Sequence, residues 1–126
     1  MDKLEINTDQ APAAVGPYSH AVRVGNFIFT SGQIPLTKEG ELVTGSMREQ
    51  ATQVLENLKA VLEASGSGLD QVVKTTVFIS DMNEFAELNS IYEEYFAPNK
   101  PARSCVEVAR LPKDVKVEME CIALLK

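Results

Sequence analysis

Runs of β-branched, aromatic and alternating apolar residues predict six strands along this chain. They lie at 4–6, 21–24, 27–30, 72–80, 102–109 and 115–125, the first of them a short edge strand. Gly25-Asn26 separates the second and third strands and is a favourable two-residue hairpin turn. The segment RLPKD joins the last two strands, so we expect those two to pair with each other as well.

Two amphipathic helices are predicted between these strands. Ser46 and Glu49 form an S-x-x-E capping box before the first helix, and Ser65-Gly66 ends it. Asp81 and Glu84 repeat the capping signal before the second helix, which ends ahead of two prolines. The apolar stripes are Met47, Ala51, Val54, Leu55, Leu58, Val61 and Leu62 in the first helix and Phe85, Leu88, Tyr92, Tyr95 and Phe96 in the second.

The order of these elements is strand pair, helix, strand, helix, strand pair, within a single predicted domain spanning 1–126. It predicts an α+β fold, a two-layer sandwich in which both helices cover one face of a mixed β-sheet. Residues on the opposite face are neither fully polar nor fully apolar, which suits a subunit interface better than open water. The pattern therefore predicts a homo-oligomer.

The charge balance argues against nucleic acid and membranes as partners. With 12 Lys and Arg against 18 Asp and Glu, the chain carries a formal charge of −6, and its basic residues are scattered. No segment approaches the about 20 apolar residues of a membrane helix, and the N-terminus lacks a signal-peptide pattern. We expect a cytoplasmic protein in which Cys105 and Cys121 are reduced, buried thiols.

Several common catalytic patterns are missing from the sequence. His20 is the only histidine, and Cys105 and Cys121 are not spaced as metal ligands, so we expect no metal site. A nucleophilic cysteine paired with His20 has no local support. The GSG segment at 66–68 follows a helix, whereas a phosphate-binding loop precedes one, so it is interpreted as a helix terminator.

Three polar residues remain as candidates. Arg103 begins a strand and can aim its guanidinium at a carboxylate; the simpler alternative is a salt bridge to a neighbouring glutamate. Glu118 lies on the polar side of the last strand, where a solvated edge is the alternative. Asn89 points with the apolar stripe of the second helix, and its alternative is a hydrogen bond from helix to sheet.

Four blocks of sequence span most of the chain. They are GPYSHA at 16–21, TSGQIP at 30–35, VVKTTVFISDMNEF at 72–85 and PARSCVEVARLPKDVKVEMEC at 101–121. Together they resemble the signature of the RidA family, also called YjgF, the reactive-intermediate deaminases. The resemblance implies a fold similar to the small trimeric chorismate mutases, with outward helices and three clefts between neighbouring subunits of a homotrimer.

The same resemblance implies an activity. Members of this family hydrolyse reactive enamines and imines, such as 2-aminoacrylate, 2-iminopropanoate and 2-iminobutanoate, to 2-oxo acids and ammonia. Pyridoxal-phosphate-dependent dehydratases release these intermediates from serine and threonine, which implies a functional link to those enzymes. No cofactor is implied for the hydrolysis itself.

Site roles also follow from the resemblance. Arg103 matches the arginine that grips the substrate carboxylate, and Glu118 matches the glutamate that positions the attacking water. Further cleft positions are matched by Tyr18, Ser31, Asn89 and Cys105, with Gly32 giving close access to the backbone. Two features depart from the pattern and bear on fine specificity: a short APNK segment before Pro101, and His20 where glutamine is frequent.

Two other functions are compatible with part of this pattern. A trimer that binds a small carboxylate or regulates a partner without turnover would use Arg103 in the same way. RNA cleavage occurs in some relatives, but the acidic charge and scattered basic residues count against it. The sequence therefore favours an imine deaminase.

Overall fold

A computed structural model describes residues 2–126 and contains one six-stranded sheet and two α-helices. The strands are β1 (Lys3–Ile6), β2 (Ala21–Val24), β3 (Phe27–Thr30), β4 (Val72–Ile79), β5 (Ala102–Glu107) and β6 (Val117–Leu124). The helices are α1 (Met47–Ala64) and α2 (Phe85–Phe96), and short 3₁₀ turns lie at Leu69–Gln71, Met82–Glu84 and Pro112–Asp114. Every predicted strand and helix is present, which confirms the element order.

The strand order is β1-β2-β3-β6-β4-β5, so the predicted pairing of the last two strands is wrong. β5 instead pairs in parallel with β4, and β6 lies between β3 and β4, antiparallel to both. The connection between β5 and β6 explains the difference. It contains Pro112 and two consecutive residues with positive φ, Lys113 and Asp114, and it forms a 3₁₀ turn rather than a tight hairpin.

The caps of the two helices differ. The capping box of α1 is confirmed, since Ser46 Oγ accepts from the Glu49 amide at 3.2 Å and Glu49 Oε1 accepts from the Ser46 amide at 3.3 Å. The matching signal before α2 caps only a 3₁₀ turn, where Asp81 Oδ1 accepts from the Asn83 amide at 2.9 Å. Glu84 forms an ion pair with Lys116 instead, so α2 begins three residues later than a capping box would set it.

Both helices pack on one face of the sheet, as predicted. On β4 the buried side chains of Thr75, Val77 and Ile79 alternate with the half-buried Thr76 and Phe78 on the other face. The two apolar helical stripes cover the buried row, and Val54, Leu55, Leu58, Val61, Leu62 and Leu88 are fully excluded from solvent. This core fixes which side chains of each strand point toward α2.

The face away from the helices keeps exposed apolar residues. Phe27, Phe29 and Val106 remain 47%, 43% and 44% exposed, and Ile122 and Leu124 beside them are half-buried. Isolated exposed apolar residues are ordinary, whereas several on one sheet face are compatible with the predicted subunit interface.

The two cysteines were predicted to be reduced and buried, and no helix was predicted to cross a membrane. Cys105 and Cys121 form no disulfide; Cys121 is buried as predicted, whereas Cys105 is only half-buried. Neither helix within residues 2–126 is long and apolar enough to span a membrane.

Candidate functional site

Arg103 lies near the start of β5 on the helix-covered face, in register with Thr75 of β4. Its guanidinium carbon is 5.4 Å from the ring centre of Phe85 and 4.7 Å from that of Tyr92. Nη1 donates to Asn89 Oδ1 at 2.8 Å. We call Phe85, Asn89, Tyr92 and Arg103 the arginine cluster, because α2 supplies every contact that orients the guanidinium.

No carboxylate within residues 2–126 forms an ion pair with Arg103, so the salt bridge to a neighbouring glutamate is wrong. The alternative proposed for Asn89 is correct, since its amide oxygen makes the hydrogen bond from helix to sheet. A guanidinium carries five N–H donors, and this contact occupies only one of them. The others remain available to an anion.

The ring of Tyr92 packs against the guanidinium of Arg103. Its hydroxyl lies 2.7 Å from Thr75 Oγ1 in the core, and its ring centre lies 4.7 Å from that of Phe96. Burial raises the pKa of Tyr92, so the phenol stays protonated and neutral beside the arginine. Because Thr75 and Phe96 hold the ring of Tyr92 in place, the stacked guanidinium of Arg103 is also restricted to one orientation.

We expect Tyr92→Phe to lower the free energy of unfolding by about 1 to 3 kcal/mol, because the fully buried Thr75 hydroxyl loses its partner. The double variant Tyr92→Phe/Thr75→Val should recover most of that loss, since no unpaired polar group remains. Urea unfolding of the two single variants and the double variant measures the coupling. Additive losses in the double variant would contradict this account.

A cavity of about 460 Å³ opens beside the arginine cluster, between α2 and the start of β5. Its lining includes Asn89, Tyr92 and Arg103 as well as the charged residues Glu93 and Lys100. This volume is within the range of small-molecule sites. The cavity can hold a small carboxylate against Arg103.

Cys105 follows Arg103 on the same face of β5 and packs against the core. Burial raises the pKa of its thiol, although the positive charge of Arg103 acts in the opposite direction. A thiol with a raised pKa is a poor nucleophile. Cys105 is therefore poorly suited to act as a nucleophile, and its side chain packs against the core.

Tyr18 and Ser31 both line a second cavity, of about 370 Å³, near β2 and β3. Ser31 Oγ donates to the Ser19 carbonyl at 2.6 Å, and the Ser31 amide donates to the His20 carbonyl at 2.9 Å. Tyr18 is half exposed. Gly32 follows Ser31 in the chain and lies against Glu118, which is not part of this cavity lining. We refer to Tyr18, Ser31, Gly32 and Glu118 as the glutamate cluster.

Glu118 occupies β6 in the middle of the sheet, so the solvated edge proposed for it is wrong. It is half-buried, and burial, followed by the charge of Glu120, raises the pKa of its carboxyl group. Gly32 lies against it: a Cβ at Gly32 would collide with Oε2 of Glu118 and lie 3.0 Å from its Cδ. Any larger residue at Gly32 would force the carboxylate of Glu118 out of this position.

The two clusters lie on opposite faces of the sheet within one chain. Arg103 is in the same cross-strand row as Thr75 and Cys121, on the side of the helices, whereas Glu118 pairs with Phe78 on the other side. Within one chain, the raised pKa of Glu118 comes from burial and from the charge of Glu120, with no contribution from Arg103.

Sequence reasoning missed Phe85 and Tyr92 as site residues. Both were assigned to the apolar stripe of the second helix, although Tyr92 lies three positions after Asn89 and Phe85 four before it. That spacing is the signal that places them on the same side of α2 as Asn89. Within residues 2–126, no group of three or more His, Cys, Asp or Glu side chains is arranged to hold a metal ion.

Comparison with known proteins places nearly the whole chain among one group of relatives. A family model described as endoribonuclease L-PSP matches residues 8–125. A RutC family protein of Pyrococcus abyssi is 56% identical over 124 residues, which cover 98% of each chain. The 2-iminobutanoate/2-iminopropanoate deaminase of Escherichia coli is 52% identical over 122 residues, covering 94% of this chain and 95% of that enzyme.

The fold has close counterparts among solved structures. The crystal structure of the yeast protein YEO7 superimposes with a TM-score of 0.98 at 53% sequence identity. The superposition covers 99% of this chain and 100% of the yeast chain. Sequence and fold therefore agree on the same relatives over nearly the whole length.

Proposed function

The chain belongs to the RidA family, which the matching model describes as endoribonuclease L-PSP, and on this basis we propose that it hydrolyses reactive enamines and imines. The substrates are 2-aminoacrylate, its tautomer 2-iminopropanoate, and 2-iminobutanoate. The products are 2-oxo acids and ammonia. A relative that is 52% identical carries the name 2-iminobutanoate/2-iminopropanoate deaminase, which supports this reaction class.

The guanidinium of Arg103, which forms no ion pair within residues 2–126, is the observation that carries this proposal. Its orientation is set by two aromatic rings and one amide, with no carboxylate among its partners in the described part of the chain. A guanidinium that is held in place with free N–H donors is well suited to bind an anion. A small 2-imino acid supplies that anion, and its electrophilic carbon is one bond from the carboxylate.

We propose that a homotrimer brings the two clusters together. Arg103 and Asn89 of one subunit would face Tyr18, Ser31, Gly32 and Glu118 of the next across each of three clefts. The separation of the clusters on opposite sheet faces and the exposed apolar residues Phe27 and Phe29 support this assembly. Burial of those rings would contribute to association.

In the proposed mechanism, Arg103 holds the carboxylate and Glu118 directs water at the imine carbon. Water oxygen bonds to that carbon and one of its protons moves to the nitrogen, which gives an aminol. The second proton passes from the aminol hydroxyl to the nitrogen as the carbon–nitrogen bond breaks and the carbonyl forms. The 2-oxo acid and ammonia leave, and no redox step is involved. The raised pKa of Glu118 suits a group that accepts and returns a proton during this sequence.

Replacing Gly32 with alanine should lower kcat/KM about tenfold, because the new methyl group displaces the Glu118 carboxylate from its position. The flexible end of Glu118 can move, so the fold should be retained. A matched control is Gly40→Ala, where the new methyl group meets nothing within 4 Å although φ is positive. Imine hydrolysis rates and thermal midpoints of both variants test this; unchanged activity in Gly32→Ala would contradict it.

The physiological source of substrate in this proposal is a pyridoxal-phosphate-dependent serine or threonine dehydratase, working in the same cytoplasm. A trimer that binds carboxylates without turnover shares Arg103 but needs no Glu118 beside Gly32. RNA cleavage has less support, because a formal charge of −6 opposes binding to phosphates.

A trapping assay tests the function. Threonine dehydratase generates 2-iminobutanoate in the presence of semicarbazide, which captures the free imine as a semicarbazone. Adding this protein should slow semicarbazone formation and divert the imine to 2-oxobutanoate. If trapping is unchanged, and serine-derived imine behaves the same way, the deaminase proposal fails and the carboxylate-binding alternative takes its place.

A further inference from the structure

His20 is a buried histidine outside the arginine and glutamate clusters. Its side chain is 3% exposed, Nδ1 accepts from the Thr8 amide at 3.1 Å, and Nε2 lies 2.7 Å from the Pro12 carbonyl oxygen. A backbone amide can only donate, so Nδ1 carries no proton. Nε2 must then donate to Pro12, and the ring is held as the neutral tautomer protonated at Nε2.

This ring closes a loop. The bond from Nε2 to the Pro12 carbonyl joins the two ends of segment 13–19, which carries Tyr18. The tip of the loop is open to solvent, with Val15 87% exposed. Because the tip is exposed, the hydrogen bond between His20 and Pro12 at its base restricts the conformations of the loop.

The backbone of the same residue holds the neighbouring part of the glutamate cluster. The His20 carbonyl accepts from the Ser31 amide at 2.9 Å, and the His20 amide donates to Asn7 Oδ1 at 3.2 Å. His20 thus connects the segment 7–12, the loop with Tyr18, and the strand end that leads to Gly32.

We propose that His20 is a positioning residue for the substrate, acting through Tyr18 and Ser31. This rests on the proposed function, in which those two residues line the cleft. The imidazole is needed as one rigid group with an acceptor and a donor on opposite sides. Without it, the Thr8 amide and the Pro12 carbonyl lose their buried partner, and the loop is free to move.

The variants His20→Leu and His20→Gln separate positioning from simple packing. Leucine fills the space without hydrogen bonds, and we expect it to raise KM for 2-iminobutanoate about tenfold with a smaller change in kcat. Glutamine has both a donor and an acceptor, and we expect KM within about threefold of the parent protein. Equal KM values in all three proteins, or equal losses in both variants, would overturn the proposal.

Amide hydrogen exchange provides a readout that does not depend on catalysis. His20→Leu should accelerate exchange at Thr8 and at Ser31, and His20→Gln should restore protection at both. If the parent protein has no deaminase activity, the proposed function fails, and the exchange data still decide whether His20 holds the loop. Unchanged protection at both amides in His20→Leu would overturn the positioning role.

Discussion

Replacing Arg103 with alanine is expected to lower kcat/KM for imine hydrolysis on the order of tenfold to several hundredfold. Hydrogen bonds between charged groups contribute about 1.5 to 3 kcal/mol each, and the guanidinium offers more than one to a carboxylate. The loss should be mainly in KM, because Arg103 holds a group that is charged before and after the reaction. Steady-state rates with 2-iminobutanoate measure it.

Two further variants serve as controls for this result. Arg103→Lys keeps the charge but not the planar fork, and it should recover only part of the activity. Arg110→Ala removes the same charge from an exposed i,i+4 pair with Asp114, and we expect no change in rate. An Arg103→Ala protein as active as the Arg110→Ala protein would remove the central support for the proposed carboxylate site.

Replacing Glu118 with glutamine is expected to lower kcat on the order of a hundredfold or more while making the fold more stable near neutral pH. The activity falls because the amide cannot accept a proton from water. The stability of the fold rises because burial disfavours the ionised carboxylate of Glu118, as its raised pKa indicates. Opposite changes in rate and thermal midpoint are the signature of a group placed for function rather than for stability.

The pH dependence of that stability has a definite sign. The pKa of Glu118 is raised above its ordinary value of 4.5, so the native state holds this proton at pH values where the unfolded chain has lost it. Its favourable contribution is complete below the ordinary glutamate pKa and is lost as pH rises through the raised native value. The parent protein and Glu118→Gln should therefore unfold alike in acid and diverge toward neutral pH.

Glu120→Gln is the matched control for Glu118. Glu120 is exposed on the same face of β6, and its charge is the second cause of the raised pKa of Glu118. Removing that charge should move the acidic limb of the rate profile to lower pH with little loss of maximal rate. A pH profile that does not shift would show that Glu118 is not the group whose ionisation limits the reaction.

The sequence alone determined the elements and most of the candidate residues. Ser46 and Glu49 mark the start of α1, and the period of the apolar stripes places both helices on one face of the sheet. These features depend on residues near one another in the chain, where backbone geometry relates spacing directly to position. The polar residues Arg103, Asn89 and Glu118 stand out for the same reason.

Only the tertiary structure decided how strands far apart in sequence become neighbours. An alternating pattern states which side chains share a face, but it is the same whether β6 pairs with β5 or lies between β3 and β4. That choice depends on long-range packing, and it determines that Arg103 and Glu118 face opposite sides of the sheet. It also brings Tyr92 beneath the guanidinium, a contact between α2 and β5 that no local spacing specifies.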